Sequence, residues 1–431
     1  MDSLWLNSFE RPQFSHTLPS KTHVLIVGGG ITGILCAYML QQTGVDYILV
    51  EADEICSGIT KNTTAKITIL HGLLYDKLIR SHGYEGAESY LQANQMALHQ
   101  YHKFCQSVDC DYEQLDAVTY SLNDREKIEY ELEALHKLGF SADFADHLPL
   151  PFQAAGAVRV KHQAQFHPLK FLFALAKDLR ICEHTKVLEF IPDGVVTNHG
   201  TIRADKTIIT THFPMLNKHG SYFLKLYQHR SYVLALKNAP NVDGMYIDEN
   251  KKGLSFRNYG DLLLLGGGAH RTGKKGGNWQ ELADFARQHY PQAQEVSRWA
   301  TQDCMSLDGI PYIGQYSSRT PNLYVATGYN KWGMTSAMAA ATILTDQILG
   351  RDNPHAWVFS PSRTILRPQL FVNIFESTVG LLTPTVPRCP HLGCALKYNP
   401  QEHSWDCPCH GSRFTREGKL IDNPATDDKT R

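Results

Sequence analysis

Residues 23–51 read HVLIVGGGITGILCAYMLQQTGVDYILVE. His23 to Val27 is a short apolar run of buried-strand character, Ile34 to Gln42 reads as a helix, and Tyr47 to Val50 reads as a second strand that ends at Glu51. Gly28-Gly29-Gly30-Ile31-Thr32-Gly33 joins the first strand to the helix. Gly28 permits the tight turn, Gly30 lets the backbone approach a pyrophosphate, and Gly33 lets helix and strand pack closely. The helix N-terminus offers free N–H groups to phosphates, and Glu51, about 20 residues on, can accept hydrogen bonds from ribose hydroxyls. A lone G-x-G-x-x-G is weak. Strand, glycines, helix, strand and acid in register point to a dinucleotide site in a Rossmann-type unit rather than to a glycine-rich turn with an incidental Glu.

The chain has 431 residues, enough for two or three domains with substantial cores. A hydrophobic content of 42% and a net charge of −1 suit a soluble globular protein and imply no nucleic-acid partner. No apolar run approaches the roughly 20 residues a membrane span needs. The N-terminal stretch MDSLWLNSFERPQF lacks a signal-peptide core, and most of the ten cysteines are scattered, as expected for reduced thiols. These features lead us to expect a cytoplasmic protein.

Residues 55–66 (ICSGITKNTTAK) and 321–335 (PNLYVATGYNKWGMT) choose between dinucleotides. Together they resemble the D-amino-acid-oxidase-like flavoenzyme superfamily, which includes glycine and sarcosine oxidases. The resemblance implies FAD. It implies that Ala52, Gly58, Thr60, Thr63 and Thr64 wrap the pyrophosphate and flavin, beside Gly28, Gly30, Ile31, Thr32, Gly33 and Glu51. It implies further that Gly328, Lys331, Trp332, Gly333, Met334 and Thr335 close the site, with helix N–H groups aimed at the flavin and stabilising its anionic reduced form. Lys331 adds a charge there or is an exposed loop lysine. Gly309 lies in the turn Asp308-Gly309-Ile310-Pro311-Tyr312-Ile313-Gly314, Val187 in a strand that meets adenine, and Thr211 at the end of a strand returning toward FAD. Cys304 lies near where some sarcosine oxidases attach flavin covalently, although a buried Cys is usually inert packing. Leu262 to Gly268 (LLLLGGG) is the only other strand–glycine unit, and its continuation lacks phosphate-loop spacing. NAD(P)H is therefore not the expected reductant, and a small organic substrate is.

Residues 72–140 read as mostly helical and residues 221–270 as strands. In the superfamily a sheet from the latter region roofs the flavin. Candidates to touch substrate are Tyr227, His229, Arg230, Arg257, Tyr259 and His270; with Lys331, the three of these expected to act in catalysis are Arg257, Tyr259 and His270. Each can equally be a satisfied polar residue on a half-exposed strand.

Near the C-terminus stand Cys389-Pro390-His391 and, fifteen residues later, Cys407-Pro408-Cys409-His410. Two thiolates and two imidazoles suit a metal centre, and the spacing is compatible with structural zinc. The fuller form CPHLGC…CPCHGS resembles the Rieske [2Fe–2S] signature. That resemblance implies cluster ligands Cys389, His391, Cys407 and His410, exposed histidine edges, a Cys394–Cys409 disulfide, and a hydrogen bond from Ser412 to the cluster. Phe414 replaces a tyrosine that usually donates another, which implies a lower potential than in respiratory relatives.

The expected architecture is α/β. A discontinuous FAD-binding domain covers residues 20–75, 151–215 and 300–352. An inserted α+β substrate domain covers 76–150 and 216–299. A proline-punctuated linker with one amphipathic stretch around Phe371 to Leu382 covers 353–384, and a small β/loop Rieske-like module covers 385–431. That module lacks the strands that normally precede the first cluster loop, so it should depend on its cluster and on packing against the flavin domain. The expected function is an FAD-dependent dehydrogenase. It oxidises an amine or amino acid and passes electrons singly through the cluster to an external protein or quinone. The alternative is a non-catalytic electron-transfer or redox-sensing protein.

Overall fold

The computed structural model describes residues 3–7, 11–14, 16–217, 219–250, 253–384 and 387–429. Its helices are α1 (Ile31–Gln42), α2 (Tyr75–Cys105), α3 (Arg125–Lys137), α4 (Pro168–Ala176), α5 (Tyr222–Lys225), α6 (Trp279–His289), α7 (Gly333–Ile348) and α8 (Pro368–Leu382). The apolar run before the glycines forms the strand Lys21–Val27, pairing in parallel with Gly200–Ile209 and Tyr47–Val50. Leu323–Thr327 and Ile181–Cys182 extend this parallel core within an eight-stranded sheet. Helices α1 and α7 pack together on it with buried alanines and leucines at their contact. Gly33 lets α1 sit that close, since a Cβ there would lie 1.9 Å from the Gly28 carbonyl oxygen.

A nine-stranded sheet stands beyond the first. Its order runs Gln294–Met305, Tyr227–Lys237, Leu262–Arg271, Ser255–Tyr259, Met245–Asp248, Glu113–Ser121, Gly156–Gln165, Lys66–Ile67, with Asp143–Ala145 on one side. The region 72–140 is therefore not all helix. Helical periodicity stops at Cys105, and Glu113–Ser121 enters the sheet between two strands that come later in the chain. Gly156–Gln165, grouped above with the dinucleotide-binding segments, hydrogen-bonds in this second sheet.

Lys397–Asn399, Ser404–Asp406, Arg413–Thr415 and Leu420–Asp422 make a four-stranded antiparallel sheet around a small core that includes Phe414 and Leu396. This C-terminal unit docks on the second sheet. Gln228 Nε2 donates to the His410 and Asn423 carbonyls at 2.8 and 2.9 Å, Gln302 Nε2 to the Gly411 carbonyl at 2.8 Å, and Arg271 Nε to the Pro408 carbonyl at 2.9 Å. Glycine is required at the contact, because a Cβ on Gly411 (φ +89°) would lie 2.6 Å from Gln228 Cβ.

Glu402 ion-pairs with Arg230 across the seam and with Arg413 inside the C-terminal unit, both arginines being buried. Burial alone would raise the Glu402 carboxyl, but the Arg230 hydrogen bond and the two cations outweigh it and hold the group down from about 4.5 to about 2. A depressed carboxyl stabilises the folded state above its unfolded value and stops doing so as pH falls through the folded one. The seam should therefore weaken between pH 4.5 and 2, by about 3 kcal/mol at the acid end. Glu402→Gln should lose at least as much at pH 7, because it leaves Arg230 and Arg413 short of charge. Urea midpoints of wild type and variant across that range test both statements; parallel curves would refute them.

Candidate functional site

One elongated cavity of about 990 Å³ runs between the two large sheets and reaches the C-terminal unit. At one end Gly28, Gly30, Ile31, Thr32, Glu51 and Ala52 line it, followed by Gly58, Thr60, Thr63 and Thr64. Val187 and Thr211 flank them, and Gly309, Gly328, Lys331, Trp332, Gly333 and Met334 line the far part. Gly33 and Thr335 stand one layer behind. Gly33 seats α1, and the Thr335 hydroxyl lies 3.0 Å from His71 Nε2.

The cavity fits a dinucleotide on its own geometry. Helices α1 and α7 both begin at it without a side-chain cap. Their first-turn N–H groups and dipoles therefore favour anionic groups. Gly29 N donates to Glu51 Oε2 at 2.6 Å and Asp53 N to Oε1 at 3.0 Å, which fixes the carboxylate beside the turn. Asn330 and Lys331 hold φ of 53° and 75°, a left-handed pair that turns the chain into α7 and brings Lys331 to the cavity. Such strain at non-glycine residues is a feature of functional turns.

The sequence-selected polar residues divide by strand alternation. Tyr227 and His229 line the cavity, whereas Arg230 faces the opposite side of the sheet and pairs with Glu402. Arg257, Tyr259 and His270 are not among the cavity-lining residues. Arg257 lies behind the wall, with Nη1 donating to the Thr64 and Ala65 carbonyls at 2.6 and 3.0 Å and its guanidinium against Trp5. Tyr259 donates to Asp111 Oδ2 at 2.6 Å. His270 lies on the other face from Ala269 and stacks on Tyr232 at 5.8 Å. The contacts of these three lie within the scaffold, off the cavity lining.

Several lining residues carried no local signal. Asp303 is half-buried on the wall, and desolvation raises its carboxyl to about 6 against the opposing pull of Lys331 and Arg230. Burial, with help from Arg257, lowers the Lys66 ammonium to about 7. His71 stacks on Trp332 at 4.8 Å, and desolvation lowers it to about 3, so it is neutral and orients that indole. Burial pushes the Cys304 thiol up to about 12, which makes it a poor nucleophile. Residues 420–423, 425 and 426 also line the cavity, so the C-terminal unit closes one end of it.

The two Cys/His loops meet on the far side of the Tyr227–Lys237 strand. The His391 and His410 rings lie 4.9 Å apart at 85°, with Cys389 and Cys407 buried beside them. His391 Nδ1 and both His410 ring nitrogens are buried without a hydrogen-bond partner. A [2Fe–2S] group held by Cys389, Cys407, His391 and His410 would take His391 Nδ1 and one of the two His410 nitrogens, so the residues present fit it. The Ser412 hydroxyl lies beside the Cys389 sulfur and accepts Ala425 N at 3.0 Å. Cys394 and Cys409, expected as a disulfide, are free thiols here, and their sulfurs group with that of Cys407 within 4.8 Å. That trio is the metal-like cluster which sulfur positions alone suggest, but it would leave both imidazoles orphaned.

His410 does not present an exposed edge, and His391 is half-buried. His410 is 2% exposed and packs on Phe213 and Phe223 at ring distances of 6.4 and 6.3 Å, and His391 Nε2 donates to Asn217 Oδ1 at 3.0 Å. They face inward because the unit docks by that side. Thr211 and His212 line the cavity, while Phe213, next in the chain, contacts both imidazoles.

The family model described as FAD dependent oxidoreductase matches residues 23–347, and the one described as Rieske [2Fe-2S] domain matches residues 364–430. A Bacillus subtilis (strain 168) protein, YhfW, named for a Rieske 2Fe-2S iron-sulfur protein, is 34% identical over 98% of this chain and 96% of its own length. L-proline dehydrogenase from P. horikoshii superposes with a TM-score of 0.67 at 16% identity, covering 80% of this chain and 98% of its own. Glycine oxidase from Geobacillus kaustophilus gives 0.67 at 17%, covering 80% and 100%. At such identities the two structures show a shared fold. Among the described residues no helix is long and apolar enough to cross a membrane.

Proposed function

The chain belongs to the FAD dependent oxidoreductase family and carries a C-terminal Rieske [2Fe-2S] domain, and from that premise we propose that it is a dehydrogenase. Its substrate is a small amine or amino acid, and the electrons leave singly through the cluster to an external protein or quinone. The names of its structural neighbours, an L-proline dehydrogenase and a glycine oxidase, support that substrate class.

One observation carries the reading: a single sheet separates the two sites. Tyr227, His229 and Asp303 face the cavity from the same paired strands whose Gln228 and Gln302 bind the cluster loops. When bound, FAD supplies two-electron acceptance and the cluster one-electron carriage. The residues do the rest. The α7 N-terminus and Lys331 favour negative charge at the reacting end. His229 and Asp303 are placed to orient a substrate and hold its proton, with Asp303 near the pKa a general base needs. The inward histidines and Phe213 shorten the path from cavity to cluster, and the docked unit keeps water from that end. The sensing alternative would suit a sealed cofactor. It is disfavoured by a cavity that runs on past the flavin-binding residues to Asp248, Ser255 and Gly267.

The test is anaerobic titration of the holoprotein with a panel of amines, amino acids and hydroxy acids. One class should bleach the flavin absorbance and then raise the EPR signal of the reduced cluster. Bleaching without that signal would refute the internal relay; no bleaching by any member would refute the substrate class.

A further inference from the structure

The α8 helix is inside out. Leu370, Asn373 and Gly380 are its buried residues. Asn373 Oδ1 takes a hydrogen bond from Arg271 at 3.0 Å and its Nδ2 donates to the Leu224 carbonyl at 3.1 Å. Glu376, on the same side, pairs with Lys274 at 2.5 Å. Gly380 is forced by contact, since a Cβ there would meet Cys409 Sγ at 2.4 Å. The opposite face carries Phe371 (64% exposed), Phe375 (65%), Val379 and Leu382 (77%), continued by Leu366 before the helix. An ordinary surface helix does the reverse, with its apolar stripe inward. An apolar face of this size marks a docking surface.

We propose that this face lies on an anionic lipid bilayer, so that the protein is a peripheral membrane protein seated by α8. Charge selects this occupant. From Arg363 to Lys397 the chain has one acid, Glu376, and Lys274 already neutralises it. Arg388 stands at the C-terminal end of the helix and Lys274 and Lys275 in the turn beside it, whereas Arg367 turns inward to His82 Nε2 and the cavity. A helix about 22 Å long, apolar outward and flanked by cations, matches the interfacial plane of a bilayer with acidic headgroups. A second copy is the poorer fit. An isologous contact would set Lys274, Lys275 and Arg388 against their own copies, and the one carboxylate of the helix is already paired with Lys274. The seat is beside the cluster loops, as the Ala395 N to Gly380 carbonyl bond of 2.9 Å shows. The inference stands apart from the redox reading, because it needs no turnover.

The experiment is co-sedimentation of the full-length holoprotein with vesicles of equal parts phosphatidylcholine and phosphatidylglycerol, and with phosphatidylcholine alone. Binding to the mixed vesicles should be about tenfold tighter and weaken with salt. Phe371→Ser/Phe375→Ser/Leu382→Ser should lose about a hundredfold in partitioning, with the visible spectrum of both cofactors unchanged. Lys275→Glu, at an exposed turn that leaves the helix intact, should lose about tenfold. No binding to either vesicle, or binding indifferent to both variants, overturns the proposal. So does a wild-type dimer in solution that the triple variant converts to monomer, which would assign the face to a second copy.

Discussion

Cys407→Ser should give a protein that stays yellow but contains no iron, no inorganic sulfide and no cluster EPR signal. The thiolate is the softest donor the loops offer, and a serine hydroxyl does not replace it for iron–sulfur ligation. Cys407 is fully buried, and its carbonyl accepts Gly411 N at 2.9 Å, so the side chain sits at the hinge of the second loop. Flavin should survive because Cys407 does not line the cavity. The C-terminal unit should not survive intact. Its own core is a handful of residues around Phe414 and Leu396, too little to hold a fragment of this size without its cluster. Limited proteolysis should therefore cut the variant near the start of the unit while wild type resists. Cys394→Ser is the paired control. If the ligands are Cys389, His391, Cys407 and His410, the Cys394 variant keeps its iron. If it loses iron as completely as the Cys407 variant, the sulfur trio Cys394, Cys407 and Cys409 is the metal site instead. Zinc without iron in the wild type would refute the Rieske centre altogether.

What the sequence made legible was what is local in the chain. Gly28 to Glu51 is one continuous strand–turn–helix–strand, and each glycine answers a steric demand a few residues away. The two Cys/His loops are equally compact. The polar residues of the second sheet were not legible, because a strand buried on both faces hides which parity faces which neighbour. Arg230 reads like Tyr227 and His229, yet it binds Glu402, 172 residues further along the chain, and Gln228 beside it, which carried no signal, binds the His410 carbonyl. Arg257 reads as a candidate for substrate, and its Nη1 is spent on the Thr64 and Ala65 carbonyls behind the cavity wall. The Leu420–Thr426 segment could not have been assigned to the cavity without knowing how the C-terminal unit docks. The same ignorance made the histidine edges look exposed. Sequence also found the amphipathic stretch at Phe371 to Leu382, but only packing against Arg271, Lys274 and Cys409 says which face is out.

Gly33→Ala should produce a nearly colourless protein. The added Cβ would stand 1.9 Å from the Gly28 carbonyl oxygen and 3.0 Å from Thr210 Oγ1. Neither can yield cheaply. The Gly28 carbonyl belongs to the turn itself and accepts the Thr210 hydroxyl at 2.9 Å. Relief therefore requires α1 to slide outward by an ångström or more, which lifts its first-turn N–H groups from the phosphate position and opens its contact with α7. Overpacking of this kind costs roughly 3 kcal/mol or more in stability. The loss of the aligned helix end then weakens FAD binding on top of it. Gly30→Ala separates the two effects. Its Cβ meets only Thr60 Oγ1 at 3.3 Å, so the fold should be near wild type while the cavity side is crowded against a pyrophosphate. The ratio of flavin to protein absorbance should thus fall in both variants, but the melting temperature should fall steeply in Gly33→Ala alone. Iron should stay near stoichiometric in Gly30→Ala, because the cluster loops dock on the other sheet. A Gly33→Ala protein that melts like wild type with a full complement of flavin would show that α1 does not pack on the turn as described, and the dinucleotide assignment would fall with it.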